Sequence, residues 1–296
     1  MIPLTPHTFK HTLLLYIIGV WTVKFKIIFA LFNIVVLFSF IIIFFMPLIM
    51  LGWTYTKEFW VTNWYLPILF ITVMGLLNAY FISNWKLFNL LETENWEGIR
   101  DYTLKKLNDG KFRKQHVKVL INASLVSNDL KSILTAESVI REKKPSWLSE
   151  FALSFGIPYL LNNDPAAMEK YYSEFLDIKT DQREWILWSY CFSLIMQKRF
   201  EQAKSELIKI SDGTANPVVL ALTGYLVSAY ARGEDDEMEN TAASIKMRIH
   251  EKFTKAKWMK EVEKSKENIQ AAILSKLIDD AGLWLYDGTE AVDNDA

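Results

Sequence analysis

In "RFEQAKSELIKI", residues 199–210, Ala203, Leu207 and Ile210 fall on one helical stripe, and Glu201, Lys204, Glu206 and Lys209 point away from it. A helix with such a stripe is stable only when the stripe is packed. The pattern recurs at a fixed distance. Met168 lies 35 residues before Ala203, Ile133 a further 35 before that, and Met238 35 after. Further stripe residues follow each at the fourth and seventh positions: Glu137 and Ile140, Tyr172 and Phe175, Leu207 and Ile210, Ala242 and Ile245. An apolar helical stretch precedes every copy. A constant period of this size predicts stacked helical hairpins. No segment alternates with the period of two that a strand requires, so the fold class expected is all-α.

Upstream of this array the pattern changes. Between Lys26 and Lys57 there are 30 residues without a charge, and a second uncharged run covers residues 59–85. About 20 apolar residues cross a bilayer, so two transmembrane helices are predicted, at about 27–51 and 59–85. Trp53, Trp60, Trp64 and Trp85 stand near the ends of these runs, where amphipathic rings favour the headgroup layer. Residues 13–21, "LLLYIIGVW", are too short to span. Lys24 and Lys26 follow them, with no small-residue cleavage site, so an interfacial helix is expected rather than a removable signal. Neither span contains Asp, Glu, Lys, Arg or His, the groups that transport and proton relay use. Asn33 and Asn78 are their most polar side chains and can bond between the two helices at about 1 kcal/mol. These spans read as an anchor.

In the repeated segment the chain resembles the tetratricopeptide repeat family, whose unit is two antiparallel helices of about 34 residues. That family packs a small residue in the middle of the first helix, and the matching positions here hold Ile121, Gly156, Cys191 and Leu226. Gly156 and Cys191 follow the rule; Ile121 and Leu226 depart from it. Pro145 falls where the family often ends a unit. The resemblance covers roughly residues 114–249 as four units, and "ENWEGIRDYTLKKL" (94–107) looks like the second half of another. It implies an α-solenoid, whose last unit needs a cap because each hairpin offers two apolar faces. Residues 254–286 supply one, with Ile269, Ile273, Leu277, Leu283 and Trp284 as its covering residues. The expected organisation is an anchor over 1–91, a repeat domain over 92–286 and a disordered acidic tail over 287–296.

Charge adds an orientation. Before Glu92 there are five lysines and one acid, Glu58; from Glu92 onward there are 28 basic and 33 acidic residues. A mildly acidic soluble part gives no reason to expect nucleic acid. Lys10, Lys24 and Lys26 precede the first span without an acid among them, so both termini are expected in the cytoplasm, with a multi-pass position in the cell (inner) membrane.

Candidate chemistry is sparse. The single cysteine, Cys191, excludes an intrachain disulfide and sits at a helix-crossing position, where a thiol is inert. His7 and His11 have i, i+4 spacing but no carboxylate or thiol nearby to complete a metal site. "GEDDEMEN" (233–240) lacks the alternating oxygen ligands of a calcium loop, and its acids suit a first helical turn. There is no phosphate-binding glycine loop, no HExxH and no GxSxG. No catalytic residue, cofactor or metal is expected, and the protein is read as not an enzyme.

What the resemblance implies is peptide binding in a groove lined by first helices. Lys118 and Asn122 match the start of the family's carboxylate-gripping pattern. The later positions hold Ser154, Trp185 and Ser189, which break it. Tyr159, Trp185 and Trp188 offer aromatic surface instead. The expected function is a membrane-anchored scaffold or assembly factor that binds other proteins through Lys118, Asn122, Tyr159, Trp185 and Trp188. The layout resembles bacterial repeat proteins of envelope machines, including collar components of spirochaete flagellar motors, a role that would turn the repeats toward the periplasm. The alternative is a non-catalytic structural subunit of a membrane enzyme or transporter, recognisable by a stoichiometric enzyme partner.

Overall fold

The computed structural model describes residues 25–231 and 236–286, and among these every regular element is helical. The segment 13–21, His7, His11, the first three residues of "GEDDEMEN" and the acidic tail lie outside the described residues.

The first helix, α1 (Phe25–Asn63), is two helices joined at Gly52, whose φ of 78° and ψ of 178° interrupt the hydrogen-bond ladder. Only glycine takes that conformation without strain. After a turn at Trp64 comes α2 (Tyr65–Ser83). Two stretches are long and apolar enough to cross a membrane, Ile27–Met50 and Tyr65–Ser83. The second begins later than the pattern indicated, and residues 59–63 belong to the connector. Pro67 explains the shift: it has no N–H for the carbonyl of Asn63, so the helix restarts with proline in its first turn.

The two stretches run antiparallel. Phe29 meets Phe81 with ring centroids 5.0 Å apart, Asn78 Nδ2 donates to Asn33 Oδ1 at 3.0 Å, and Phe40 stacks on Phe70 at 4.6 Å. The expected bond between the two asparagines is therefore present. Most large apolar side chains on both helices remain exposed, a surface suited to lipid rather than water.

A bend at Asn84 leads directly into a series of helical pairs. The pairs are α3 (Trp85–Glu92) with α4 (Trp96–Asn108), α5 (Lys114–Val126) with α6 (Leu130–Lys143), and α7 (Leu148–Leu161) with α8 (Pro165–Ser173). Two more follow, α9 (Arg183–Met196) with α10 (Phe200–Gly213) and α11 (Pro217–Ala231) with α12 (Asp236–His250). Each helix packs on the next from α3 to α12, and α4 also touches α6, α7 touches α9, α9 touches α11 and α10 touches α12.

The first four pairs share one turn. Glu94, Asn128, Asn163 and Lys198 have φ of 50°, 56°, 53° and 62°. In each turn the next residue's N–H reaches back to the preceding helix: Asn95 to Leu90, Asp129 to Ser124, Asp164 to Tyr159 and Arg199 to Leu194, at 2.8–3.0 Å. This is the Schellman ending of a helix. Asn95, Asp129 and Asp164 then cap the second helix through their side chains, accepting from the N–H groups of Gly98, Ser132 and Ala167. The pair α3–α4 thus has the same turn as the pairs that follow it. Gly233, one period after Lys198, lies outside the described residues.

Small residues let the helices approach. A Cβ on Gly156 would sit 2.1 Å from the Tyr172 hydroxyl oxygen, and Cys191 is fully buried. In the fifth pair the close approach falls at Gly224, where a Cβ would lie 2.7 Å from Ile245 and from Trp284, and not at Leu226. The reason is the C-terminal helix, whose Trp284 occupies that crossing.

The C-terminal part comprises α13 (Lys255–Ser265), α14 (Ile269–Ile273) and α15 (Ser275–Tyr286). Helices α13 and α15 pack on α11, while α14 reaches back to α7. The helix breaks at Leu274, which resets the phase of the stripe. Ile278, Ala281, Leu285 and Tyr286 are buried, and Leu283, expected as a covering residue, is exposed.

Candidate partner-binding face

The first helices α5, α7 and α9 carry the residues that the sequence singled out. Lys118 is exposed and Asn122 half-buried, one turn apart on α5, which packs against α4 and α6. These two form the open part of the face.

Tyr159 is half-buried and already engaged. Its hydroxyl donates to Glu137 Oε2 at 3.1 Å. Glu137 is buried on the stripe of α6 and is held at 2.8 Å by Arg141, which also reaches Glu174 at 2.6 Å. A buried carboxylate is tolerated because it is paired and hydrogen-bonded. Burial, then the Glu137 charge, pushes the Tyr159 phenol up to about 12, and the hydrogen bonds to Glu137 and Glu174 hold the Arg141 guanidinium above its ordinary value. The network ties α6, α7 and the end of α8 together. The sequence marked Glu137 only as an acid on an apolar stripe; its partners are Tyr159, 22 positions away, and Arg141, one turn on, which in turn holds Glu174.

Trp185 and Trp188 are buried. Trp188 is 0% exposed and stacks on Phe192 with ring centroids 5.0 Å apart, and Trp185 is 5% exposed. The neighbouring Ser189 receives a hydrogen bond from Gln270 Nε2 of α14 and gives one to the Trp185 carbonyl at 2.7 Å. Gln270, Ala271, Ala272 and Ile273 are all buried. The C-terminal segment therefore occupies part of the first-helix face across α7 and α9. Nothing in the spacing of the repeats announces it, because a five-residue helix carries too little periodicity to show which surface it meets.

The titratable groups of the interior are shifted away from reactivity. Burial pushes the Cys191 thiol and the Tyr171 and Tyr172 phenols up. Among the described residues no three His, Cys, Asp or Glu side chains converge as metal ligands. A polar cleft of 420 Å³ opens between the start of α9 and the end of α10, lined by Thr180, Arg183, Glu184, Glu206 and Lys209 among others. Three of its charged groups have partners: Glu184 accepts from the N–H groups of Ala215 and Asn216 at 2.8 and 3.1 Å, and Lys209 pairs with Glu206 at 2.7 Å.

One histidine carries a pH dependence. His116 Nδ1 accepts the backbone N–H of Arg113 at 3.0 Å, fastening the start of α5. Burial, then the charges of Lys106 and Arg113, lowers its pKa from 6.5. The folded chain then binds fewer protons than the unfolded chain just below that value, so stability falls as pH drops through it. Protonation also removes a hydrogen bond worth about 0.5–1.5 kcal/mol. Thermal melts between pH 7.5 and 5.5 should show the wild type losing more stability than His116→Gln. Parallel pH profiles would refute the coupling.

These features define an all-helical protein with two helices able to cross a membrane and a series of helical pairs that begins where the second one ends. The chain belongs to the family described as "Uncharacterised Treponema protein", whose model matches residues 132–287. It is also similar to a protein of Treponema pallidum (strain Nichols), described as "Uncharacterized protein", with 20% identity over 231 residues that cover 74% of each chain. No solved structure matches it.

Proposed function

We propose that this protein is a membrane-anchored scaffold, a tetratricopeptide-like α-solenoid that binds other proteins and performs no catalysis. The observation that carries this reading is the left-handed turn repeated at Glu94, Asn128, Asn163 and Lys198, starting directly after the second apolar helix. Helical pairs stacked at a constant period make an extended surface for a partner chain. An anchor that leads into the first pair without a linker keeps that surface at the membrane. The open residues Lys118 and Asn122 on α5 are the partner contacts, and Tyr159 stands at their margin. Trp185 and Trp188 serve the core.

The lysines ahead of the first span favour a cytoplasmic array, since antiparallel spans return the chain to its starting side. An accessory role in an envelope machine fits this layout. Its specific form, a flagellar-motor collar component, rests on the layout alone and would require the periplasmic orientation.

A photo-crosslinking residue at Lys118 or Asn122 of the full chain should capture a discrete protein in cells, whereas one at Trp188 should not. Lys118→Glu with Asn122→Asp should lower capture from a second crosslinking position on α5, Gln115, several-fold while helicity and melting stay unchanged. If residues 1–84 alone retain the partner as well as the full chain does, the spans are the functional part and the scaffold reading fails.

A further inference from the structure

We propose that the membrane end of the α3–α4 pair, with the start of α5, is a binding site for the headgroups of anionic lipids. The proposal rests on the reading of α1 and α2 as membrane spans.

Geometry puts this end at the bilayer surface. Only Asn84 separates α2 from α3. The Trp85 ring packs edge-on to Phe29 at 6.1 Å, and Phe88 lies 5.5 Å from Phe81, so α3 starts where both apolar helices finish. From there α3 runs away from the spans for eight residues, about 12 Å at the helical rise, and the 13 residues of α4 run back along it. The return is visible in the contacts: Lys86 of α3 and Lys106 of α4 lie over the same Tyr102 ring, with Nζ 5.4 and 4.9 Å from its centroid.

The charges are sorted along the pair. Glu92, Glu94 and Glu97 gather around its turn, far from the spans, whereas Lys86, Lys105 and Lys106 stand at the other end, where Asp109 at the C-cap of α4 is the exception among the acids. Arg113 adds to this end as the N-cap of α5, which begins shortly after α4 finishes. Among the described residues, no carboxylate lies within ion-pair distance of Lys86, Lys106 or Arg113. Two ammonium groups on one ring, level with the ends of the spans, form a cationic notch open to the headgroup layer. Its complement is a phosphodiester held at that depth by its acyl chains, such as that of phosphatidylglycerol. Lysines meet such a group as point charges, and Trp85 is exposed beside them to contact the glycerol region.

The test uses the full chain reconstituted in phosphatidylcholine bilayers with a trace of spin-labelled phosphatidylglycerol or phosphatidylcholine. The motionally restricted fraction of each probe gives its relative association. The anionic probe should associate several-fold more strongly, and the preference should fall toward unity when Lys86→Gln, Lys106→Gln and Arg113→Gln are combined. Lys260→Gln with Lys264→Gln, on α13, should leave it unchanged, and melting curves should show all variants folded. Equal association in the wild type, or an unchanged preference in the triple variant, would overturn the proposal. So would displacement of the probe by inorganic phosphate at matched ionic strength, which would mean a free-anion site. Release of the chain from the bilayers by alkaline carbonate would instead sink the membrane reading itself.

Discussion

A chain ending at Glu251 is expected to lose its cooperative thermal transition and to elute as an aggregate in detergent, while the full chain stays monodisperse. The truncation removes Trp258, Ile273, Leu274, Ile278, Leu285 and Tyr286, all buried in the intact fold. Burying a large apolar side chain stabilises by about 1.5–3 kcal/mol. Six of them together rival the whole stability of an ordinary domain, about 5–15 kcal/mol. The loss strikes two places at once. Helix α11 is stripped of α13 and α15, and α7 loses α14. Ser189 loses the bond from Gln270, so the core around Trp188 opens to water. Circular dichroism melts and size-exclusion profiles of residues 1–251 and of the full chain make the comparison. A shortened chain that melts like the full one would show that the C-terminal helices are dispensable, and the burial of Trp188 would then need another cause.

Gly156→Ala should destabilise the helical array by about 1–3 kcal/mol, the usual cost of overpacking a tight core. The added Cβ would meet the Tyr172 hydroxyl oxygen at 2.1 Å and its ring carbon Cζ at 2.4 Å. An exposed tyrosine would swing aside. Tyr172 is 1% exposed and α8 is packed against α9, so the ring has no free space to enter and the strain passes to α9. Gly213→Ala is the control, because a Cβ there meets nothing within 4 Å. Its effect should be neutral or stabilising by less than about 1 kcal/mol, since alanine narrows the unfolded ensemble. At this size about 2–4 °C of melting temperature corresponds to each kcal/mol. Identical melting of Gly156→Ala and wild type would show that α7 and α8 leave room for a methyl group at their crossing.

Much of this molecule follows from local pattern. Residues 27–51 and the later uncharged run have no polar face at all, so length and composition alone identify helices able to cross a membrane. The 35-residue spacing of Ile133, Met168 and Ala203 marks where the second helices lie, because a stripe with helical period and a turn of fixed length leave the chain little choice. Asn33 and Asn78 stand at mirrored depths of two antiparallel runs, so their hydrogen bond is legible in the order of residues alone. Cys191 is buried for the same reason that Gly156 is tight: small residues mark helix crossings.

Other features belong to the tertiary structure alone. Glu137 reads as an anomaly until Arg141, Tyr159 and Glu174 surround it. The largest change is at the candidate site. Trp185 and Trp188 have the spacing of a groove surface, yet both are buried, and residues 269–274 return to α7 and to the neighbouring Ser189 of α9. Periodicity reports which face of a helix is apolar. Which distant segment covers that face depends on the summed geometry of every helix between, and there the sequence alone stops.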